Sequence, residues 1–218
     1  HSNDPVIQDG LALMRECNLD AVIFLDLIAG VQSDLEPARM PDLDSLLRYC
    51  YRVAGTVGLM MCKVLDTHAR AAWPHAVDLG IAMQLTNICR DIAADAAMDR
   101  RYLPASLVGN LLPAQLLCSA GPWPLAVNAC VENLLTIADQ YYQSGELGLS
   151  YLPLRARAGM LVAARVYREI GVQLSARAPV DGGMRVVVTP GRKAVVTTQA
   201  LLTLPLSRFF WQTPAGHD

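Results

Sequence analysis

The stretch QLTNICRDIAADAAMDRRYLP, Gln84 to Pro104, sets Gln84, Asn87, Asp91 and Asp95 at intervals of three, four and four. At about 100° per residue these four side chains line one face of a helix, in a segment otherwise made mainly of Leu, Ile and Ala. Carboxylates one turn apart repel each other unless a cation or a salt bridge lies between them. Magnesium accepts one or two carboxylates, keeps several waters and draws its remaining oxygens from a phosphate. Gln84 and Asn87 sit where they can bond those waters or a diphosphate, and Arg90, Arg100 and Arg101 offer planar donor forks to phosphate oxygens. DxxxD is a short pattern, and a solvated helix face with arginine partners is the other reading of it. The amides on the same stripe and the apolar background favour a face turned inward, where buried polar groups need partners.

Working outward, the ladder belongs to a helix predicted from Ala71 to Ala97. Upstream, Asp4 and Pro5 open a helix reaching Arg15, and a second spans Leu19 to Asp34 with a break near Gly30. Pro37 and Pro41 mark a linker, after which Asp42, Asp44 and Ser45 start a third helix reaching Val64. That helix carries a stripe of Tyr49, Val53 and Val57, with Ala54 and Gly58 beside it. Small residues there permit close helix packing, or room for a hydrocarbon ligand with the Tyr49 hydroxyl near its diphosphate. Downstream, Leu125 to Leu147, Leu154 to Ala176 and Arg192 to Leu204 read as helices. The β-branched run Met184 to Thr189 reads as a strand or an extended segment. One such run does not make a sheet, so the predicted fold is all-α.

Composition narrows the function. The 218 residues fit one domain, and 53% apolar against 17% charged side chains supports a large core. No apolar run is long enough to span a bilayer, so the excess lines a cavity or touches a membrane at one edge. A net charge of -2 gives no electrostatic case for nucleic acid. The six cysteines stand singly, without zinc or redox spacing, and most read as small core residues in a reducing cytoplasm. The four histidines, His1, His68, His75 and His217, share no ligand spacing and read as surface residues. Tyr102 is a second phosphate-facing hydroxyl or a half-buried cap, and Tyr167 taken alone reads as core.

YCYRVAGTVGLMM (Tyr49 to Met61), DLGIAMQLTNICRDIAADAAMDRRYLP (Asp78 to Pro104), AARVYREIG (Ala163 to Gly171) and RVVVTPGRK (Arg185 to Lys193) together resemble the squalene/phytoene synthase family, most of all its phytoene-forming members. The resemblance implies an isoprenoid synthase helical bundle around a central cavity. It implies head-to-head condensation of two geranylgeranyl diphosphates to phytoene through prephytoene diphosphate. The alternatives are farnesyl diphosphate giving squalene, presqualene diphosphate or dehydrosqualene, and a non-catalytic homologue serving as a partner subunit. It implies Mg2+, with Mn2+ as a substitute, on Asp91, Asp95 and Asn87. Gln84, Arg90 and Tyr102 fall to the diphosphate side, Tyr49, Val53, Ala54 and Gly58 to the facing wall, and Tyr167 to a late helix directed at the cavity. Prenyl diphosphates are the implied ligands. A cytoplasmic location, peripheral contact with the inner face of the membrane and association with other isoprenoid-pathway enzymes are further expectations. Residues 1–218 are expected to form one helical domain without the amino-terminal helices that carry the family's first aspartate-rich motif. Asp4, Asp9, Asp20, Asp26 and Asp34 form no DxxxD, and Asp42 with Asp44 reads as a helix cap.

Overall fold

Helix α5 (Ala72–Arg90) is the central element, and its sequence explains why. Ala72, Leu79, Ile81, Ala82, Leu85, Thr86, Ile88 and Cys89 bury on more than one side, as befits a helix with neighbours all round. It packs on α8 (Leu125–Leu147) most extensively, then on α4 (Thr56–Val64) and α9 (Leu154–Ser175). The structure, a computed structural model, describes residues 4–67, 69–117, 123–176, 185–204 and 207–212. Among these every regular element is helical, apart from a single bridge between Arg39 and Arg101. The bundle is all-α, as expected.

Helix α1 (Pro5–Glu16) is capped by the Asp4 carboxylate, which accepts from the Val6 amide at 2.8 Å. Helix α2 (Ala21–Gln32) does not break at Gly30. A Cβ at Gly30 would lie 2.7 Å from the Cβ of Arg52, so this glycine marks a close crossing and not an interruption. A 3-10 turn, Ser33–Leu35, then leaves Asp34 facing the core. Helix α3 (Leu43–Cys50) starts at Asp42, whose side chain accepts from the Ser45 amide.

Between α3 and α4 the chain winds as a π-helix over Tyr51–Gly55. The rod is continuous, as expected for residues 42–64, but its i→i+5 bonding slips the register. That slip separates the direction of Tyr49 from that of Val53 and Val57, which a regular helix would align. Helix α4 runs antiparallel to α5 with backbone touching backbone. A Cβ at Gly58 would lie 2.2 Å from the Ala76 carbonyl oxygen, and one at Gly80 would lie 2.3 Å from that of Ala54.

The helix expected from 71 to 97 is broken. It ends at Arg90, and α6 (Ile92–Ala97) restarts after Asp91, which has φ -105° and ψ 13°. Adjacent residues on a regular helix do not face each other, whereas here Arg90 grips the Asp91 carboxylate with two nitrogens. The break is what permits that grip.

After the short α7 (Ala105–Val108), the long pair α8 and α9 closes the bundle. Arg185 to Thr189 is extended with Val186 and Val188 buried in alternation, yet it pairs with no other strand among the described residues. Helix α10 (Pro190–Thr203) docks on α9, and α11 (Arg208–Trp211) adds Phe210 to a small satellite core with Leu149, Leu161 and Ala200. Cys50, Cys62, Cys89 and Cys130 are free and buried in the apolar interior, the core role read from their dispersal. His1, His68, His217, Cys118 and Met184 lie outside the described residues. Among the described residues no helix is long and apolar enough to cross a membrane.

Candidate active site

One face of α5 forms the spine of a half-open cavity of about 270 Å³. Its wall on α4 and the π turn includes Val53, Ala54, Val57 and Gly58. From α5 come His75, Leu79, Met83, Gln84 and Asn87, and from α9 Met160 and Tyr167. The surface is overwhelmingly apolar, and the polar atoms of Gln84 and Asn87 gather toward the carboxy-terminal end of α5. Seven residues singled out by sequence (Gln84, Asn87, Val53, Ala54, Val57, Gly58 and Tyr167) therefore share one cavity. His75, expected on the surface, lines it too, because its position on α5 repeats the stripe of Leu79, Met83 and Asn87.

Asp91 and Asp95 follow Asn87 across the break that ends α5 and stand outside the cavity lining, Asp95 against a small recess shared with Arg100 and Tyr102. Asp91 is held by Arg90, with Nε to Oδ1 at 2.9 Å, and by Arg185, whose Nε donates to the same oxygen at 2.8 Å. Burial pushes its carboxyl up, but the hydrogen bonds and charges of Arg90 and Arg185 outweigh that and hold it below the usual range. Asp95 behaves oppositely. Burial, then the negative charges of Asp91 and Asp34, raise it to about 6 against the pull of Arg100 and Arg90. Arg90 thus spends its fork on Asp91. Arg101 is buried and turns its guanidinium to the carbonyls of Leu103 and Met40, which takes it out of the phosphate donors offered by the sequence.

Tyr49 and Tyr102 are brought together beside this pair, not into the apolar cavity. Their rings stack with centroids 4.9 Å apart. Tyr102 Oη donates to Asp34 Oδ1 at 2.7 Å and Tyr49 Oη donates to Asp34 Oδ2 at 2.9 Å. Burial first, and then Asp34, raises the Tyr102 phenol to about 12; Tyr49 is raised further, by burial, Tyr102 and Asp34. Arg100 Nη2 binds the Asp34 carbonyl at 2.8 Å and so anchors the turn. Asp34 and Arg185 are the two residues of this cluster that sequence reasoning passed over. Neither stands in a spaced motif, although Arg185 opens the RVVVTPGRK run.

A divalent cation is testable against these residues. Among the described residues no group of three or more His, Cys, Asp or Glu side chains could hold a metal. The Oδ1 atom of Asn87, however, is buried without a hydrogen-bond partner. An orphaned amide oxygen one turn from Asp91, and two from Asp95, is a hard-oxygen set that suits magnesium completed by water and phosphate. The residues fit the ion.

A family profile described as squalene/phytoene synthase matches residues 1–192. A phytoene synthase of Pseudescherichia vulneris is 36% identical over 201 residues, covering 87% of this chain and 64% of the relative. A 15-cis-phytoene synthase of Pantoea ananas is 41% identical over 149 residues, covering 68% of this chain and 48% of the relative. Among solved structures, a dehydrosqualene synthase in complex with ligand superposes with a TM-score of 0.74 at 26% identity, over 94% of this chain and 73% of that one. YisP from Bacillus subtilis superposes with a TM-score of 0.71 at 22% identity, over 85% and 74%, a likeness of fold. The chain spans about half to two thirds of the length of the curated relatives it matches.

Proposed function

The chain belongs to the squalene/phytoene synthase family, and from that premise we propose that it joins two geranylgeranyl diphosphates head to head to give phytoene through prephytoene diphosphate. The observation that carries this reading is the polarity of the cavity: apolar walls lead to Gln84 and the unpartnered oxygen of Asn87, and Asp91 and Asp95 follow along the chain just outside its lining. Asn87, Asp91 and Asp95 would hold magnesium, which when bound supplies Lewis-acid neutralisation of a departing diphosphate. Arg90 keeps Asp91 ionised and aimed, and Arg185 occupies the same oxygen until a ligand competes for it. Val53, Ala54, Gly58 and Leu79 exclude water from an allylic cation, and the ring of Tyr167 offers it a π face. Tyr49 Oη and Tyr102 Oη each donate a hydrogen bond to Asp34, and Tyr49 Oη also points its proton at Tyr102 Oη, so a phenol oxygen that takes a proton from substrate can pass its own to the Asp34 carboxylate. A waxy product must leave into lipid, so we place the protein in the cytoplasm with contact at the inner membrane face.

The test is incubation with geranylgeranyl diphosphate and magnesium, with products read by mass. Phytoene is expected, and Asp91→Ala or Asp95→Ala should lower turnover by about 10²–10³-fold or more. Unchanged turnover in either variant would remove the role given to that carboxylate. C30 products from farnesyl diphosphate, with none from the C20 substrate, would transfer the reading to the chemistry named for the dehydrosqualene synthase neighbour.

A further inference from the structure

The end of the cavity away from Asn87 is walled by Cys62, Leu65, Ala72, Leu149 and Leu152, and into it the imidazole of His75 is set. A polar ring in such surroundings is costly unless its nitrogens are satisfied. Ser144 Oγ donates to Asp78 Oδ2, so its lone pairs face His75 Nδ1 at 3.2 Å and the imidazole carries its proton on that nitrogen. The ring also lies nearly parallel to Tyr151, with centroids 6.3 Å apart and planes 17° apart. Behind it stands Gly148, where a Cβ would come within 2.4 Å of the His75 Cβ. The histidine is therefore pinned from three sides. Met61, Met83 and Met160, which share the lining, have the torsional freedom to move aside.

Its distance from Asn87 is informative. His75 precedes Asn87 by twelve residues on α5, about 18 Å at the helical rise. A C20 prenyl chain has sixteen backbone carbons and extends roughly 19 Å at about 1.25 Å of advance per bond, while a C15 chain extends roughly 14 Å. With the diphosphate lying beyond Asn87 toward Asp91 and Asp95, a C20 tail whose first carbon is level with Asn87 reaches the imidazole, and a C15 tail stops about a turn short. We propose that His75, positioned by Ser144 and Asp78, is the residue that sets the longest prenyl tail this cavity admits. The proposal rests on the prenyl diphosphate reading above and adds the residue that measures the chain.

The experiment is titration calorimetry of the full chain with magnesium and unreactive thiolodiphosphate analogues of C15, C20 and C25 prenyl groups, alongside inorganic pyrophosphate. The wild type should bind C20 more tightly than C25. His75→Ala should improve C25 relative to C20 by about tenfold, the scale of a pocket gaining room for a few methylenes. Ser144→Ala leaves the volume almost unchanged but unpins the ring, and should weaken discrimination against C25 in the same direction. Gly148→Ala should push the ring inward and shift preference from C20 toward C15. Pyrophosphate affinity should stay constant in all three. Identical C15:C20:C25 ratios in His75→Ala, Ser144→Ala and wild type would overturn the proposal. If the wild type binds magnesium pyrophosphate but gains nothing from any prenyl tail, the cavity reading itself fails and the proposal falls with it, a pattern distinct from unchanged ratios.

Discussion

Asp34 accepts from both Tyr49 and Tyr102, so one carboxylate fixes two phenol protons beside Asp91 and Asp95. Replacing it with asparagine keeps an acceptor oxygen but removes the charge. Asp34→Asn should therefore lower the Tyr102 phenol from about 12 toward, though not to, the ordinary 10, since burial is the larger cause and persists. Ultraviolet titration of the phenolate in wild type and variant checks this, and an unmoved Tyr102 would mean the carboxylate does not govern it. The sequence hid Asp34 because its partners lie 15 and 68 residues away. Gln84, Asn87 and Gly58 were legible, because periodicity on regular helices put each on a predictable face, while Val53 and Ala54 reach the same cavity from the π turn. Tyr49 was legible as part of the site but not in its direction, since the slip through Tyr51–Gly55 has no clear signature in side-chain pattern. His75 was misread for want of a neighbouring ligand motif, although its spacing from Leu79 already placed it on the cavity stripe.

Among the elements, the boundaries that sequence predicted best are those fixed by a local side-chain cap: Asp4 before α1 and Asp42 before α3. The break at Asp91 was invisible because no Gly or Pro marks it; the contacts that go with it come from Arg90 and from Arg185, which lies 94 residues away. Tertiary charge contacts of this kind also hold α10. Arg192 meets Glu169 on α9 through Nε to Oε1 at 2.7 Å and Nη2 to Oε2 at 3.1 Å, and Gln173 adds a bond to Oε1. The hydrogen bonds of Arg192 hold the Glu169 carboxyl below its ordinary 4.5, against the opposing effect of burial. A depressed acid stabilises the fold above its unfolded value and loses that contribution as pH falls through the folded one. Glu169→Gln should thus lower stability near neutrality, modestly because Arg192 is open to solvent. The gap between the two proteins in urea melts should stay constant above pH 4.5 and close as the solution is acidified below it. A gap that persisted in strong acid would show that the side chain's shape, not its charge, secures α10.

Taken whole, the molecule is one large buried cluster threaded by α5, with a cavity along one flank and a smaller core beneath α11. Ligands that bind only the folded form stabilise it by mass action, about 2.7 kcal/mol at a hundredfold excess over Kd. For a chain of this size that corresponds to a rise in Tm of roughly 5–10 °C. Magnesium with inorganic pyrophosphate should produce such a rise, neither alone should match it, and Asp91→Ala should abolish it; scanning calorimetry reads all three. An equal shift in the variant would place the anion elsewhere. The overall all-α arrangement was legible from the helical periods and the lack of a second strand-like run. The cavity's walls were legible only in part, because their spacing is decided where Gly58 and Gly80 lay bare main chain against the opposite rod. Those two contacts act like rivets: the gauge of the tunnel is a property of the skeleton. Anyone recutting it for another terpenoid must therefore carve its lining, since bulk added at either rivet would prise the rods apart before it reshaped the bore.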